Sequence, residues 1–227
     1  MQNQPLPRQI VITSDGSHTL YIPGLGEHYH SIHGAIQESE HVFIQTGLAQ
    51  LNEKKTIRIL EIGFGTGLNA LLTLKQATKN SLSIEYTTIE KYPLQPNEYN
   101  LLNYGKELGN DWEKPFIALL ESPWELKNEI TPHFKLNKRA VDLVAIDFED
   151  CFDLIYFDAF GPEIQPDLWS ESVFQTMYRA LNIGGILVTY SAKGQVRRNL
   201  IVAGFTVERL AGPPGKREML RATKKFN

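Results

Sequence analysis

Apolar and polar positions alternate early in the chain. QIVIT (9–13) and HTLYI (18–22) are short β-favouring runs separated by Ser-Asp-Gly-Ser. Asp15-Gly16 is a turn pair, so the two runs predict a hairpin. From Ala35 to Leu51 the apolar residues Ile36, Val42, Phe43, Leu48 and Leu51 fall near helical spacing and predict an amphipathic helix. The character changes at Thr56, where short apolar runs begin to alternate with helical patterns. Strands are predicted at 57–62, 84–89, 153–158, 185–191 and 204–209, and helices at 67–78, 95–103, 170–181 and 194–202. Between them, 105–150 is less regular. There HFKLN (133–137) and AVDLVAI (140–146) read as two further strands, and GKREMLRAT (215–223) as a last strand returning from a Gly-Pro-Pro-Gly turn. Strand–helix alternation of this kind implies βαβ units and a mainly parallel sheet, with ligands at the carboxyl ends of its strands. The organisation expected is α/β, with a hairpin-and-helix extension over 1–50 and a Rossmann-like domain over 51–227.

Composition narrows the class. A chain of 227 residues that is 42% hydrophobic and 10% aromatic is ordinary for a folded domain. No apolar run approaches the roughly 20 residues that span a bilayer. The N-terminus lacks the pattern of a signal peptide. A single cysteine, Cys151, excludes an internal disulfide framework and a Cys-rich zinc site, and a reducing, cytoplasmic setting is expected. The net charge of -3 hides a division: residues 193–227 carry nine basic and two acidic groups, whereas 142–171 hold nine acids and no Lys or Arg. A charge-polarised protein can meet a polyanion with one face and a cation with another.

Glu61-Ile-Gly63-Phe64-Gly65-Thr66-Gly67 follows a strand and opens a helix. Glycines let the backbone turn sharply and approach a ligand closely. The spacing is G-x-G-x-G; Leu68 stands where a dinucleotide loop has its third glycine, and no Gly-Lys-Ser/Thr ending follows. Glu90 closes the next strand, where a carboxylate can hold both ribose hydroxyls. Glu61, this loop and Glu90 resemble the S-adenosylmethionine site of class I methyltransferases. The resemblance places Glu61 near the methionine amino end, the glycines beneath the ligand and Glu90 on the ribose. Asp147, at the end of a later predicted strand, is a candidate for the adenine amino group; a solvated acidic loop is the alternative.

The second constellation is Asp158-Ala-Phe160-Gly-Pro162-Glu-Ile-Gln-Pro166-Asp-Leu-Trp169, following the apolar strand FDLIY. Asp158 thus falls on the same sheet edge as the glycine loop. An alkylamine is mostly protonated at neutral pH and has no lone pair to offer. A carboxylate can orient it and accept its proton while Phe160 and Trp169 wall the pocket. The alternative is that Asp158 only caps the turn and Phe160 is core.

These segments carry a more specific resemblance. DAFGPEIQPDLW resembles the D-x-F-x-P-x-x-x-P-x-x-W signature of the methyltransferase domain of the bacterial enzymes that finish 5-methylaminomethyl-2-thiouridine in tRNA. EIGFGTGLNALLT resembles that family's cofactor loop, Asn69 included. TYSAKGQVRRNLIVAGF (189–205) and GKREML (215–220) resemble two further segments in order. What this implies is S-adenosylmethionine-dependent methylation, leaving S-adenosylhomocysteine, of the aminomethyl nitrogen of 5-aminomethyl-(2-thio)uridine at the wobble position. It implies cofactor contacts from Glu61, Gly63, Phe64, Gly65, Thr66, Gly67, Asn69, Glu90, Lys91, Asp147 and Asp158, and catalysis at Asp158 and Phe160. Many members carry a flavin-dependent oxidase domain as well. The chain resembles the stand-alone form, so no FAD, no metal and no carboxymethylated substrate are expected. AGPPGKREM departs from the family, in which many members have an aromatic between two glycines, and 106–138 matches no family segment.

The basic end acquires a candidate role. Lys193, Arg197, Arg198, Lys216 and Arg217, with Pro162 and Trp169, are expected to meet the anticodon stem-loop of tRNA, with no membrane involved. A solvated helix face is the alternative. Histidines 28, 30, 33 and 41 lack metal-ligand spacing and are expected on a loop over the entrance. Two rivals remain: methyl or aminopropyl transfer to a polyamine-like molecule, which the acidic stretch would favour, and an inert RNA-binding domain, against which the acid–glycine–acid set argues.

Overall fold

The computed structural model describes residues 6–51 and 53–225. β1 (Gln9–Ile12), β2 (His18–Ile22) and β3 (Glu27–His28) form a small antiparallel sheet. Asp15 makes the β1–β2 turn, its carboxylate accepting the Thr13 hydroxyl at 2.7 Å and the Ser17 amide at 3.1 Å. The helix expected over 35–51 is regular only as α1 (Ala35–Ser39). It widens into a π-helical stretch, Glu40–Gln45, and ends in a 3-10 turn, Leu48–Leu51. Gly47 marks the break, since a Cβ there would lie 2.4 Å from the Phe43 carbonyl oxygen.

The main sheet contains β4 (Thr56–Ile62), β5 (Ser83–Ile89), β6 (Lys127–Thr131), β7 (Phe134–Arg139), β8 (Phe152–Phe157), β9 (Leu181–Thr189), β10 (Thr206–Ala211) and β11 (Glu218–Thr223). Their spatial order is β10-β11-β9-β8-β4-β5-β7-β6. β4, β5, β7, β8 and β9 run parallel; β11 is antiparallel to both its neighbours, and β6 is antiparallel at the far edge. Around the sheet lie α2 (Leu68–Asn80), α3 (Pro96–Tyr99), α4 (Tyr104–Glu107), α5 (Glu113–Glu121), α6 (Glu171–Ala180) and α7 (Gly194–Val202). β8 is buried at all six positions, as a central parallel strand covered on both faces must be. One core layer joins α2 and α5 to the Phe43 region of the extension; the other packs Phe174, Met177 and Leu200 of α6 and α7 against the opposite face. This is a Rossmann-like α/β fold with a mainly parallel sheet. Chain order reverses beside β4, whose neighbours are β5 and β8, and that switch point opens a crevice at the carboxyl ends.

Two further expectations need correction. AVDLVAI is a loop with one 3-10 turn, Leu143–Ala145. β7 already occupies the place beside β5, and Leu143 and Ile146 are buried by packing under the loop instead of by sheet pairing. The helix at 95–103 is one turn, α3. Strand β6 (KNEIT) escaped notice because an edge strand rich in charge has no apolar run.

Candidate active site

The crevice is a cavity of about 1000 Å³, within the range of small-molecule sites. The glycine loop forms its floor. Gly63 has φ +93°, and a Cβ there would lie 2.7 Å from the Asp158 carbonyl oxygen. Only glycine lets β4 and β8 end so close together. Gly65 donates its amide to Glu90 Oε2 at 3.1 Å, and Tyr92 donates its own to Glu90 Oε1 at 2.8 Å. Two backbone amides therefore aim the Glu90 carboxylate along the cavity wall, with lone pairs left for a diol. Thr66 is buried and meets His30 Nε2 at 2.8 Å. Burial holds that imidazole near pKa 4, against the opposing pull of Glu38, so His30 is neutral at physiological pH.

Asn69, on the first turn of α2, donates Nδ2–H to Asp158 Oδ2 at 2.8 Å. The helix that follows the glycine loop and the carboxyl end of β8 are thus joined by one hydrogen bond. Burial, and then the neighbouring Glu38 carboxylate, push Asp158 up to about 7, against the Asn69 hydrogen bond and the Lys216 ammonium. A carboxylate so placed exchanges a proton near neutral pH. Phe160 lines the cavity and packs edge-on against Tyr29 of the extension, with ring centroids 5.0 Å apart. Pro162 lines it too.

Other residues fall in unexpected places. Glu61 is fully buried behind the loop and does not line the cavity. Its position on β4 turns it toward Tyr86, Thr88 and Asn69, yet neither carboxylate oxygen makes a hydrogen bond of good geometry among the described residues. Burial pushes its pKa well above the carboxylate range, with Asp158 adding to the shift. Asp147 is exposed, follows no strand and lies outside the cavity, because the strand expected to present it does not form. Asp142 lines the cavity instead and accepts from Lys91 Nζ at 2.7 Å. Trp169 is 2% exposed and is core: it packs on Phe157 and Phe174 and donates Nε1–H to the Phe160 carbonyl at 2.8 Å. The second aromatic wall is Tyr190, just past β9, whose hydroxyl donates to the Ala159 carbonyl at 2.8 Å. A lone aromatic at the end of a strand was its only sequence signal.

The basic residues divide. Lys193 lines the cavity and pairs with Glu163, and Lys216 lines it and pairs with Glu38. Arg198 and Arg217 are exposed and Arg197 is half-buried; none of the three lines the cavity. His28 and His30 line the cavity, while His33 is exposed and His41 meets the Ala211 carbonyl at 2.8 Å. Among the described residues no three His, Cys, Asp or Glu side chains group as a metal site, and no helix is long and apolar enough to cross a membrane.

Comparison with known proteins agrees with this geometry. Residues 117–225 match a family described as S-adenosyl-L-methionine-dependent methyltransferases. The chain is 30% identical over 227 residues to the tRNA 5-methylaminomethyl-2-thiouridine biosynthesis bifunctional protein MnmC of Cupriavidus metallidurans, covering 94% of this chain and 33% of that protein. It is 27% identical over 235 residues to the protein of the same name in Burkholderia thailandensis, covering 97% and 35%. The chain thus spans about a third of the length of the curated relatives it matches. The crystal structure of MNMC2 from Aquifex aeolicus superposes with a TM-score of 0.82 at 29% identity, over 99% of this chain and 72% of that one.

Proposed function

We propose that the chain, which matches an S-adenosyl-L-methionine-dependent methyltransferase family over residues 117–225, methylates the aminomethyl nitrogen of 5-aminomethyl-(2-thio)uridine at the wobble position of tRNA, giving 5-methylaminomethyl-(2-thio)uridine. The observation that carries the reading is Asp158. It is a carboxylate held near neutral pKa between the cofactor loop, through Asn69, and an aromatic wall of Phe160 and Tyr190.

The residues present fit the cofactor. The Gly63 turn brings the ends of β4 and β8 together at the cavity floor, Glu90 offers lone pairs toward a ribose, and Asn69 Oδ1 is buried without a partner among the described residues. Glu90, the Gly63–Gly67 loop and Asn69 would hold S-adenosylmethionine, with Lys91 and Asp142 farther along the cavity wall. Bound there, it supplies a methyl group on a positively charged sulfur.

The chain's own residues then have definite tasks. The substrate amine enters as an ammonium and must give up one proton before its nitrogen has a lone pair. Asp158 hydrogen-bonds that nitrogen and takes the proton. Asn69 fixes the carboxylate's orientation, and Phe160 and Tyr190 exclude water. After transfer the nitrogen bears the methyl group and a positive charge, and the Asp158 proton passes to solvent. Lys193 at the cavity and Arg197, Arg198 and Arg217 outside it serve as phosphate contacts, so tRNA binding weakens steeply with salt. Asp158→Ala tests the reading: S-adenosylhomocysteine binding is retained and methyl transfer to tRNA is lost. A variant that still methylates tRNA at the wild-type rate overturns the role of Asp158.

A further inference from the structure

Beside Asp158, the same cavity contains a carboxylate paired with an ammonium. Glu38, on α1 of the N-terminal extension, is 6% exposed. Its Oε2 accepts the Ser31 amide at 2.7 Å, and its Oε1 pairs with Lys216 Nζ. Lys216 comes from the far end of the chain, on the Gly-Pro-Pro-Gly turn between β10 and β11. Its ammonium stands over the Tyr190 ring, 4.0 Å from the centroid. Tyr190 is anchored to the Ala159 carbonyl, one residue past Asp158. An alkylammonium therefore rests in a cradle of one carboxylate and one aromatic face, inside the same cavity as Asp158.

Burying such a pair is a poor way to gain stability, because desolvation offsets the attraction. Its chemistry is that of ammonium recognition: an aromatic face within about 6 Å plus a carboxylate. A substrate carrying a primary alkylammonium presents the same group as Lys216. We propose that the Glu38–Tyr190 cradle is the specificity site for the substrate's protonated aminomethyl group, and that Lys216 fills it until the substrate displaces it. This rests on the reading above that the substrate is such an amine. Lys216 competes with the substrate in the empty enzyme. Groups without positive charge cannot displace it, so the pair discriminates against an unmodified or uncharged uridine substituent.

The test uses the full chain with S-adenosylhomocysteine bound to prevent turnover. Two anticodon stem-loops are compared, identical except for 5-aminomethyl or 5-methyl on the wobble uridine. The ratio of their dissociation constants reports the amine alone, since phosphate contacts cancel. Lys216→Met raises the preference for the aminomethyl RNA about tenfold, the size of one desolvated cation–aromatic contact. Glu38→Gln lowers it toward parity. Lys216→Gln, which keeps a polar end without the charge, behaves as Lys216→Met and guards against a folding artefact. If removing the Lys216 charge leaves the preference unchanged or reduces it, the cradle proposal is overturned. Should wild type still methylate the aminomethyl RNA in that case, the reading of the activity stands. If wild type transfers no methyl group to that RNA, the activity reading fails and the inference falls with it.

Discussion

Asp158→Asn should make the protein more stable while stopping methyl transfer. Burial and the nearby Glu38 carboxylate raise Asp158 from its ordinary 3.8 to about 7. The folded state therefore binds a proton more readily than the unfolded chain between those values. With the unfolded state binding fewer protons, stability falls as pH rises from about 4 to about 7 and is level beyond. A shift of that size corresponds to about 4 kcal/mol as a ceiling. Asp158 lines an open cavity, so about half of that, about 2 kcal/mol, is the expected effect after solvent screening. Asparagine keeps an oxygen to accept from Asn69 Nδ2 and removes the charge. The assay is denaturant unfolding of both proteins at pH 4.5 and pH 8. At the lower pH the two differ little. At pH 8 the variant gains about 2 kcal/mol, or about 4–8 °C in Tm for a chain of this length. In parallel, wild-type kcat/KM rises with pH through about 7. A variant no more stable at pH 8, or one equally stabilised at both pH values, would refute the placement of Asp158 as a desolvated carboxylate.

Gly63→Ala forces a Cβ toward the Asp158 carbonyl at a positive φ; about 1–2 kcal/mol of backbone strain and at least a tenfold loss of S-adenosylhomocysteine affinity are expected by calorimetry. Trp169→Phe removes the hydrogen bond to the Phe160 carbonyl; about 1 kcal/mol of stability is lost and kcat falls several-fold, while cofactor affinity measured by titration is unchanged. Glu90→Ala strips the acceptor from the Gly65 and Tyr92 amides, and the KM for S-adenosylmethionine should rise about tenfold or more in steady-state assays, more than the KM for RNA. Arg197→Ala together with Arg198→Ala should shrink the slope of log affinity for tRNA against log salt by up to about two, with cofactor binding untouched.

The loop and its strand–helix setting were legible because glycine spacing, an apolar run and a downstream acid are all local features. Glu90 and Asn69 fall where those features put them, on the cavity. Long-range packing was not legible. Trp169 reads as a pocket wall from its place in the motif, yet the turn stiffened by Pro162 and Pro166 folds its ring inward onto Phe157 and Phe174. Tyr190 takes the wall position because β9 ends beside β8, a pairing between residues such as Tyr156 and Val188 that no local pattern announces. Asp147 and Asp142 exchange places for the same kind of reason: the apolar run between them looked like a strand, and only the sheet order reveals that β7 already holds the position beside β5. Glu38 was hidden as one polar position on an amphipathic helix. Its significance depends on Lys216, 178 residues away. The division of charge at residue 192 was real in sequence but not in space, since Lys193 and Lys216 are neutralised by Glu163 and Glu38 of the acidic part.

The most direct measurement is transfer of labelled methyl from S-adenosylmethionine to a synthetic anticodon stem-loop carrying one 5-aminomethyluridine at the wobble position, followed by nucleoside analysis. The result expected is label in 5-methylaminomethyluridine alone, none in the same RNA with plain uridine, and none with Asp158→Ala. Label entering a free polyamine in place of either RNA, or entering the plain RNA equally well, would contradict the assignment of the cavity to a wobble aminomethyl group.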